Sequence, residues 1–352
     1  MLPPHQHTVQ FGWRLLTRRE TSVQTSSSTS GSPSGPPLPV LFIHDAAIDD
    51  FVATMLLVSM PGVDLRGIVI ASADCVPAGG MDAASRLQQF IGRPDIPLAL
   101  SEARGWNPFP WQYRGDCVAF VSKTDLASCT STVPTPPPSG NALIESLLES
   151  AVASAEPLTI LLTTAFTPLT DVVRARPHLA AGVGQIVWMG GAINVAGNLD
   201  PTTLTPGVAN THAEWNVFWD PFAVHDALQM FEGIRIFPLD ITNSVPLAKP
   251  FLQTLQNQAA TCRFSKLASE GYALVSIYPF YDAWDVCATV WLARPDLYAP
   301  AQDLRLEVEQ WGSNQGWLKE STTAARQQHV HLSLTNVQGL YDYVAAQLAR
   351  SS

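Results

Sequence analysis

Three carboxylates, Asp45, Asp49 and Asp50, fall within six residues in the stretch VLFIHDAAIDDFVAT, residues 40–54. Brought together, they repel one another unless positive charge sits among them. An all-oxygen set, with no Cys or His in ligand spacing, suits a hard cation. His44 alternates off the Asp45 face and reads as a supporting or packing residue rather than a ligand. A plainer reading makes Asp49 a helix cap and lets Asp50 favour the positive end of that helix. It leaves Asp45 without a task.

The elements that must position these groups can be read on either side. Val40 to Ile43 is a short apolar run of the kind that makes a buried strand, and Asp45 stands where it ends. Ala46 and Ala47 permit a tight turn, and Phe51, Val52, Met55, Leu56 and Leu57 have the spacing of a helix packed on a sheet. A strand end followed by a helix start is where open α/β sheets bind ligands. Further strands are expected at Leu65–Ala71, Pro97–Leu100, Leu158–Thr164, Ile186–Met189 and Ile234–Phe237. Helices are expected at Met81–Phe90, Ala142–Ala155, Val217–Met230 and Phe251–Leu267, then a hairpin within Leu304–Leu334 and a last helix at Val337–Leu348. The alternation predicts an α/β fold: an open, mostly parallel, Rossmann-like sheet with helices on both faces.

Composition narrows the function. A formal net charge of -10 over 352 residues argues against a nucleic-acid groove. No apolar run approaches the roughly 20 residues of a membrane span. The five cysteines show no CxxC spacing and no disulfide framework, so reduced thiols are expected. Residues 1–38 are Ser-, Thr-, Gly- and Pro-rich and predict a disordered extension, leaving 39–352 as a single domain. The Arg-bearing, acid-poor start is similar to an organellar transit peptide and equally to a plain disordered tail. Without such targeting a cytoplasmic protein is expected.

The loops after the strands carry the other candidates. Asp74 follows the second strand. Trp106, Phe109, Trp111 and Tyr113 crowd the Pro-rich loop GWNPFPWQYRGDC. Gly190 and Gly191 follow a strand and let backbone approach a ligand. Beyond them Asn198, Glu214 and Asn216, with Trp215 between the last two, can serve several hydroxyls. Asp285, beside Trp284 in an apolar segment, is costly to bury unpaired.

Together HDAAIDDFVA, ADC, NPFP, PLT, VWMGGA, AEWNVFWDP and AWDV, in order over residues 40 to 345, resemble the nucleoside hydrolases, which split a ribonucleoside into base and ribose. The match looks most like the branch that prefers inosine, adenosine and guanosine. The resemblance implies Ca2+ held by Asp45, Asp50, the Phe166 carbonyl and Asp285, with Asp45 as general base. It implies ribose contacts from Asp49, Asn198, Glu214, Trp215 and Asn216, and Asp74 at the base. Tyr113, or its rival Trp111, would stack on the purine with Trp284, which replaces the acid His of many members. Such an enzyme serves purine salvage or nucleoside catabolism, takes a small-molecule substrate, and leaves a homo-oligomer open. One departure supports a rival, a binding relative with impaired turnover: the family's first Asp, two residues before Asp45, is Ile43 here. An aspartyl phosphatase is excluded, because the second Asp of its Asp-x-Asp falls at Ala47.

Overall fold

The computed structural model describes residues 35–199, 210–278 and 280–350. The strands are β1 (Leu38–His44), β2 (Val63–Ile70), β3 (Leu98–Leu100), β4 (Leu158–Leu162), β5 (Val183–Met189), β6 (Arg235–Phe237), β7 (Gln302–Val308), β8 (Leu318–Glu320) and β9 (Gln327–Val330). They form one sheet in the order β3-β2-β1-β4-β5-β6-β9-β7-β8. Pairing is parallel from β3 to β9, and β7 runs antiparallel to both β9 and β8.

The helices are α1 (Ile48–Ser59), α2 (Pro77–Ile91), α3 (Asp116–Lys123), α4 (Gly140–Ser154), α5 (Thr167–Ala175) and α6 (Trp215–Trp219). After them come α7 (Pro221–Met230), α8 (Leu239–Thr242), α9 (Lys249–Gln258), α10 (Arg263–Val275), α11 (Trp284–Trp291) and α12 (Val337–Leu348). Both faces of the sheet are covered, which is why β1 is apolar at consecutive positions rather than alternate ones. Val40 and Phe42 join the cluster with residues of α1, α10, α11 and α12, while Leu41 and Ile43 join the opposite one with residues of α4, α5 and α7.

The α/β sheet expected from the alternation is the one observed, with three local differences. The helix expected over Val217–Met230 is two, because Pro221 cannot continue a helix and Asp220 instead caps α7, accepting from Ala223 N at 3.1 Å. The helix expected over Phe251–Leu267 breaks into α9 and α10 at residues 259–262. The expected hairpin is three strands, and β9 reaches back to pair in parallel with β6. The proposed extension lies, up to residue 34, outside the described residues, as does most of the stretch LDPTTLTPGVANT, residues 199–211, that follows Asn198. Among the described residues no helix is long and apolar enough to cross a membrane.

Ile43 is fully buried in the cluster that also holds Leu162, Phe166 and Trp188. A carboxylate there would face hydrocarbon, so the departure at position 43 is a packing commitment as well as a lost acid. Ile43→Asp is therefore expected to destabilise the chain by more than about 3 kcal/mol, against about 0.5–1.5 kcal/mol for Ile43→Val. Chemical denaturation of the two variants checks this; equal midpoints would show that the site accepts a charge.

Candidate active site

The carboxylates meet where β1 ends between β2 and β4. Backbone pairing carries on past the strand, with Ala71 N donating to His44 O at 2.7 Å and Thr163 N to Ile43 O at 3.0 Å. Ala46 then turns the chain with φ 64° and α1 begins at once, with Asp49 and Asp50 in its first turn. A helix start favours negative charge. Neither aspartate is the cap residue, which is Ala47.

Asp50 is fully buried and closes this turn. Its Oδ2 accepts from Ala47 N at 3.0 Å, and its Oδ1 from the Thr163 hydroxyl at 2.6 Å. Burial pushes its carboxyl up, but His44, with Nδ1 3.4 Å away, Thr163 and the Ala47 amide outweigh it and hold the group below the usual carboxylate range. The same Nδ1 lies 3.1 Å from Ala46 N, so the imidazole either accepts from that amide or donates to Asp50. Asp49 is held from the far end of the chain, by the Tyr281 hydroxyl at 3.0 Å and by Asp285 N at 3.1 Å. Burial and the Asp50 charge push it up to about 7.

Asp285 sits in the first turn of α11, so two helix starts face each other across the site. Burial, then Asp49, Asp50 and Asp45, push its carboxyl well above the ordinary range. Asp45 is raised likewise by burial and by Asp50 and Asp74. These groups lack positive charge. All their donor atoms are oxygen, which fits a hard cation. Among the described residues, however, no three Asp, Glu, His or Cys side chains are gathered tightly enough to enclose an ion.

Asp45, Asp49 and Asp285 open into a cavity of about 640 Å³. Asp74, Tyr113, Asn198, Glu214, Trp215, Asn216 and Trp284 line it too, so most of the expected residues come together. Glu214 caps α6: its oxygens accept from Asn216 N and Gly191 N, both at 2.9 Å, and from Val217 N at 3.3 Å. Burial still pushes it up to about 7. Asn216 donates to Met189 O at 3.0 Å, and Asn198 accepts from Trp215 N at 3.3 Å. One wall is thus a mesh that ties β5 to α6.

Three expected residues do not reach the cavity wall: Asp50, whose two oxygens accept from Ala47 N and the Thr163 hydroxyl, Phe166 and Trp111. Phe166 is the cap of α5, and its carbonyl is taken by the helix, accepting from Thr170 N at 2.9 Å and Leu169 N at 3.0 Å. Its ring is buried against Trp188. Trp111 is 73% exposed and lies under the Arg114 guanidinium, 5.3 Å away, outside the cavity lining. Tyr113 takes the inner position, edge-on to Tyr278 with centroids 5.5 Å apart. Arg114 itself is a clamp that sequence reasoning missed. It donates to Cys75 O at 2.7 and 2.9 Å and to Ser72 O at 3.1 Å, which stitches the aromatic loop to the loop carrying Asp74. Tyr281, Tyr278, Phe280 and Asp116 were missed as lining residues. The aromatic run YPFYD just before Asp285 was the available signal for the first three.

Close approach of backbones places Asn198. A Cβ on Gly197 would lie 2.0 Å from Ala213 O. Gly197→Ala is accordingly expected to cost about 1–3 kcal/mol of stability, as overpacking does, and to displace Asn198. A denaturation midpoint unchanged from the parent would show that the two segments can separate freely.

The comparisons with known proteins agree with this geometry. The profile described as inosine-uridine preferring nucleoside hydrolase matches residues 40–342. A pyrimidine-specific ribonucleoside hydrolase, RihA of Klebsiella pneumoniae (strain 342), is 24% identical over 283 residues, covering 78% of this chain and 83% of the relative. The crystal structure of the inosine-uridine preferring nucleoside hydrolase from Bacillus anthracis superposes with a TM-score of 0.78 at 28% identity, over 90% of this chain and 100% of that one. A purine-preferring ribonucleoside hydrolase from Gardnerella vaginalis shares the fold, with a TM-score of 0.72 at 16% identity over 89% and 98% of the two chains. Strand-end carboxylates, the meshed polar wall and a profile match over most of the length lead to one conclusion: the chain belongs to the inosine-uridine preferring nucleoside hydrolase family.

Proposed function

We propose that this hydrolase of N-glycosidic bonds is calcium-dependent and prefers purine ribonucleosides. The observation that carries the base preference is the wall of the cavity. Trp284 stands directly before Asp285, packed on Tyr281 with centroids 4.6 Å apart, and no histidine lines the cavity among the described residues. A large aromatic wall rewards the larger ring system, and stacking contributes about 0.5–1.5 kcal/mol beyond burial. The pyrimidine-specific relatives favour the opposite preference, and the same assay decides between them.

Asp45, Asp50 and Asp285 supply the oxygens that would hold the ion, on drawing closer together than they stand in this structure. Bound there, it supplies Lewis-acid activation of water and a positive anchor for the sugar diol. The protein's own groups do the rest. Asp45 lines the cavity and is the carboxylate assigned as general base. Asp49, fixed from two sides, and the Asn198–Glu214–Asn216 wall orient the ribose, so that the anomeric carbon is presented to water. Charge at that carbon grows as the bond to the base breaks. The catalytically impaired binder suggested by Ile43 keeps all of this wall, so turnover alone distinguishes it.

Calcium is expected to raise the thermal midpoint of metal-stripped protein, and chelator to abolish nucleoside hydrolysis. Asp285→Asn should lose both effects while still folding. Full activity after verified metal removal would refute the dependence.

The efficiencies on inosine, adenosine or guanosine should exceed those on uridine and cytidine by at least about tenfold, or about 1.4 kcal/mol. Trp284→Ala should erase most of that ratio and leave calcium binding intact. Equal efficiencies on uridine and inosine in the parent enzyme would contradict the purine assignment.

A further inference from the structure

The proposed reaction leaves one task unfilled: the departing base must gain a proton, and among the described residues no histidine lines the cavity. The cavity lining holds a carboxyl suited to it. Asp116 lines the cavity three residues beyond Tyr113 and opens α3, its amide donating to the Tyr113 carbonyl at 2.9 Å. The aromatic side chain that would stack on a base and this carboxyl are therefore fixed within one turn. We propose that Asp116 is the proton donor to the leaving base.

The surroundings support that assignment. Arg114, two residues earlier, pins this turn to the Asp74 loop through Ser72 and Cys75. Asp74 presents a buried Oδ1 with no hydrogen-bond partner, a spare acceptor on the same wall. The charged and titratable groups that interact with Asp116 are Asp74 from the loop after β2, Tyr278 from the loop after α10, and Cys117 and Lys123 on α3. Burial pushes the Asp116 carboxyl up to about 6 despite Lys123. A donor should lie near the working pH, and burial moves this carboxyl in that direction.

The step balances. As the bond from C1′ to the base nitrogen breaks, its electron pair passes into the base. The carboxyl proton of Asp116 moves to a ring nitrogen or exocyclic oxygen of the base, and Asp116 is left as carboxylate. Water gives a hydroxyl to C1′ and its other proton to Asp45. Solvent then takes that proton from Asp45 and returns one to Asp116, so nucleoside and water become base and ribose.

This inference rests on the nucleoside-hydrolase reading, and the test separates the two. Parent protein, Asp116→Asn and Asp116→Ala are assayed in calcium on the nucleoside the parent turns over fastest and on 4-nitrophenyl riboside, whose leaving group needs no proton. Both variants should lose about 100-fold in kcat on the nucleoside and stay within about threefold on the nitrophenyl riboside, in the range that general acids supply. Added formate should restore part of the Asp116→Ala loss, which a purely structural role would not allow. An equal fall on both substrates, or no fall on the nucleoside in either variant, overturns the proposal. A parent inert on both substrates overturns the hydrolase reading and the proposal with it, whereas a parent active on both with indifferent variants overturns the proposal alone.

Discussion

Buried like charge is the constraint on which the rest of this structure depends. Asp45, Asp49, Asp50 and Asp285 are all nearly inaccessible to water, and three of them are raised by one another's presence. Ionised carboxylates in such surroundings cost several kcal/mol each unless something compensates. The fold supplies partial compensation from several sources. The helix starts of α1 and α11 contribute too, through the Ala47 amide to Asp50 and the Asp285 amide to Asp49. Asp50 adds a hydroxyl, an amide and the neighbouring imidazole, and Asp49 a phenol and an amide. What is still lacking is whole positive charge, which an ion would provide.

The cavity walls divide the labour that follows. One wall is rigid and polar, because Glu214 ties Gly191 to the start of α6 and Asn216 ties that start back to β5. The other is aromatic and borne on loops, with Tyr113, Tyr278 and Phe280 packed edge to face or stacked. A sugar carries many hydroxyls in fixed directions and suits the first wall. A flat base suits the second, where rings can yield slightly without losing contact. Arg114 keeps the aromatic loop from drifting by gripping backbone carbonyls rather than a side chain, so its hold does not depend on the residues at 72 and 75.

Much of this was legible in the sequence wherever the signal was local. The apolar run before Asp45 gave β1, and the spacing of α12 gave its limits, Val337 and Leu348. Most site residues followed from strand ends and from family resemblance. The misreadings share a cause. Sequence shows which residue sits in a loop but not which way it faces, so Trp111 stayed a rival to Tyr113 until it was seen in solvent. A carbonyl's direction is equally invisible, and at Phe166 a helix start claimed it. The parallel pairing of β9 with β6 joins segments roughly ninety residues apart by no periodicity that a local window contains. Tyr281 was hidden for the same reason, since its partner Asp49 is 232 residues away.

That last span bears on how the protein comes into being. Asp49 emerges from the ribosome early, and the two groups that fix it, Tyr281 and the amide of Asp285, emerge 232 and 236 residues later. At roughly 5–20 residues per second this is an interval of about 12 to 50 seconds. Throughout it the nascent chain holds β1 and its acidic turn without the helix that completes the pocket. The centre therefore assembles last, from both ends of the chain, and no N-terminal fragment shorter than about residue 285 contains a finished site.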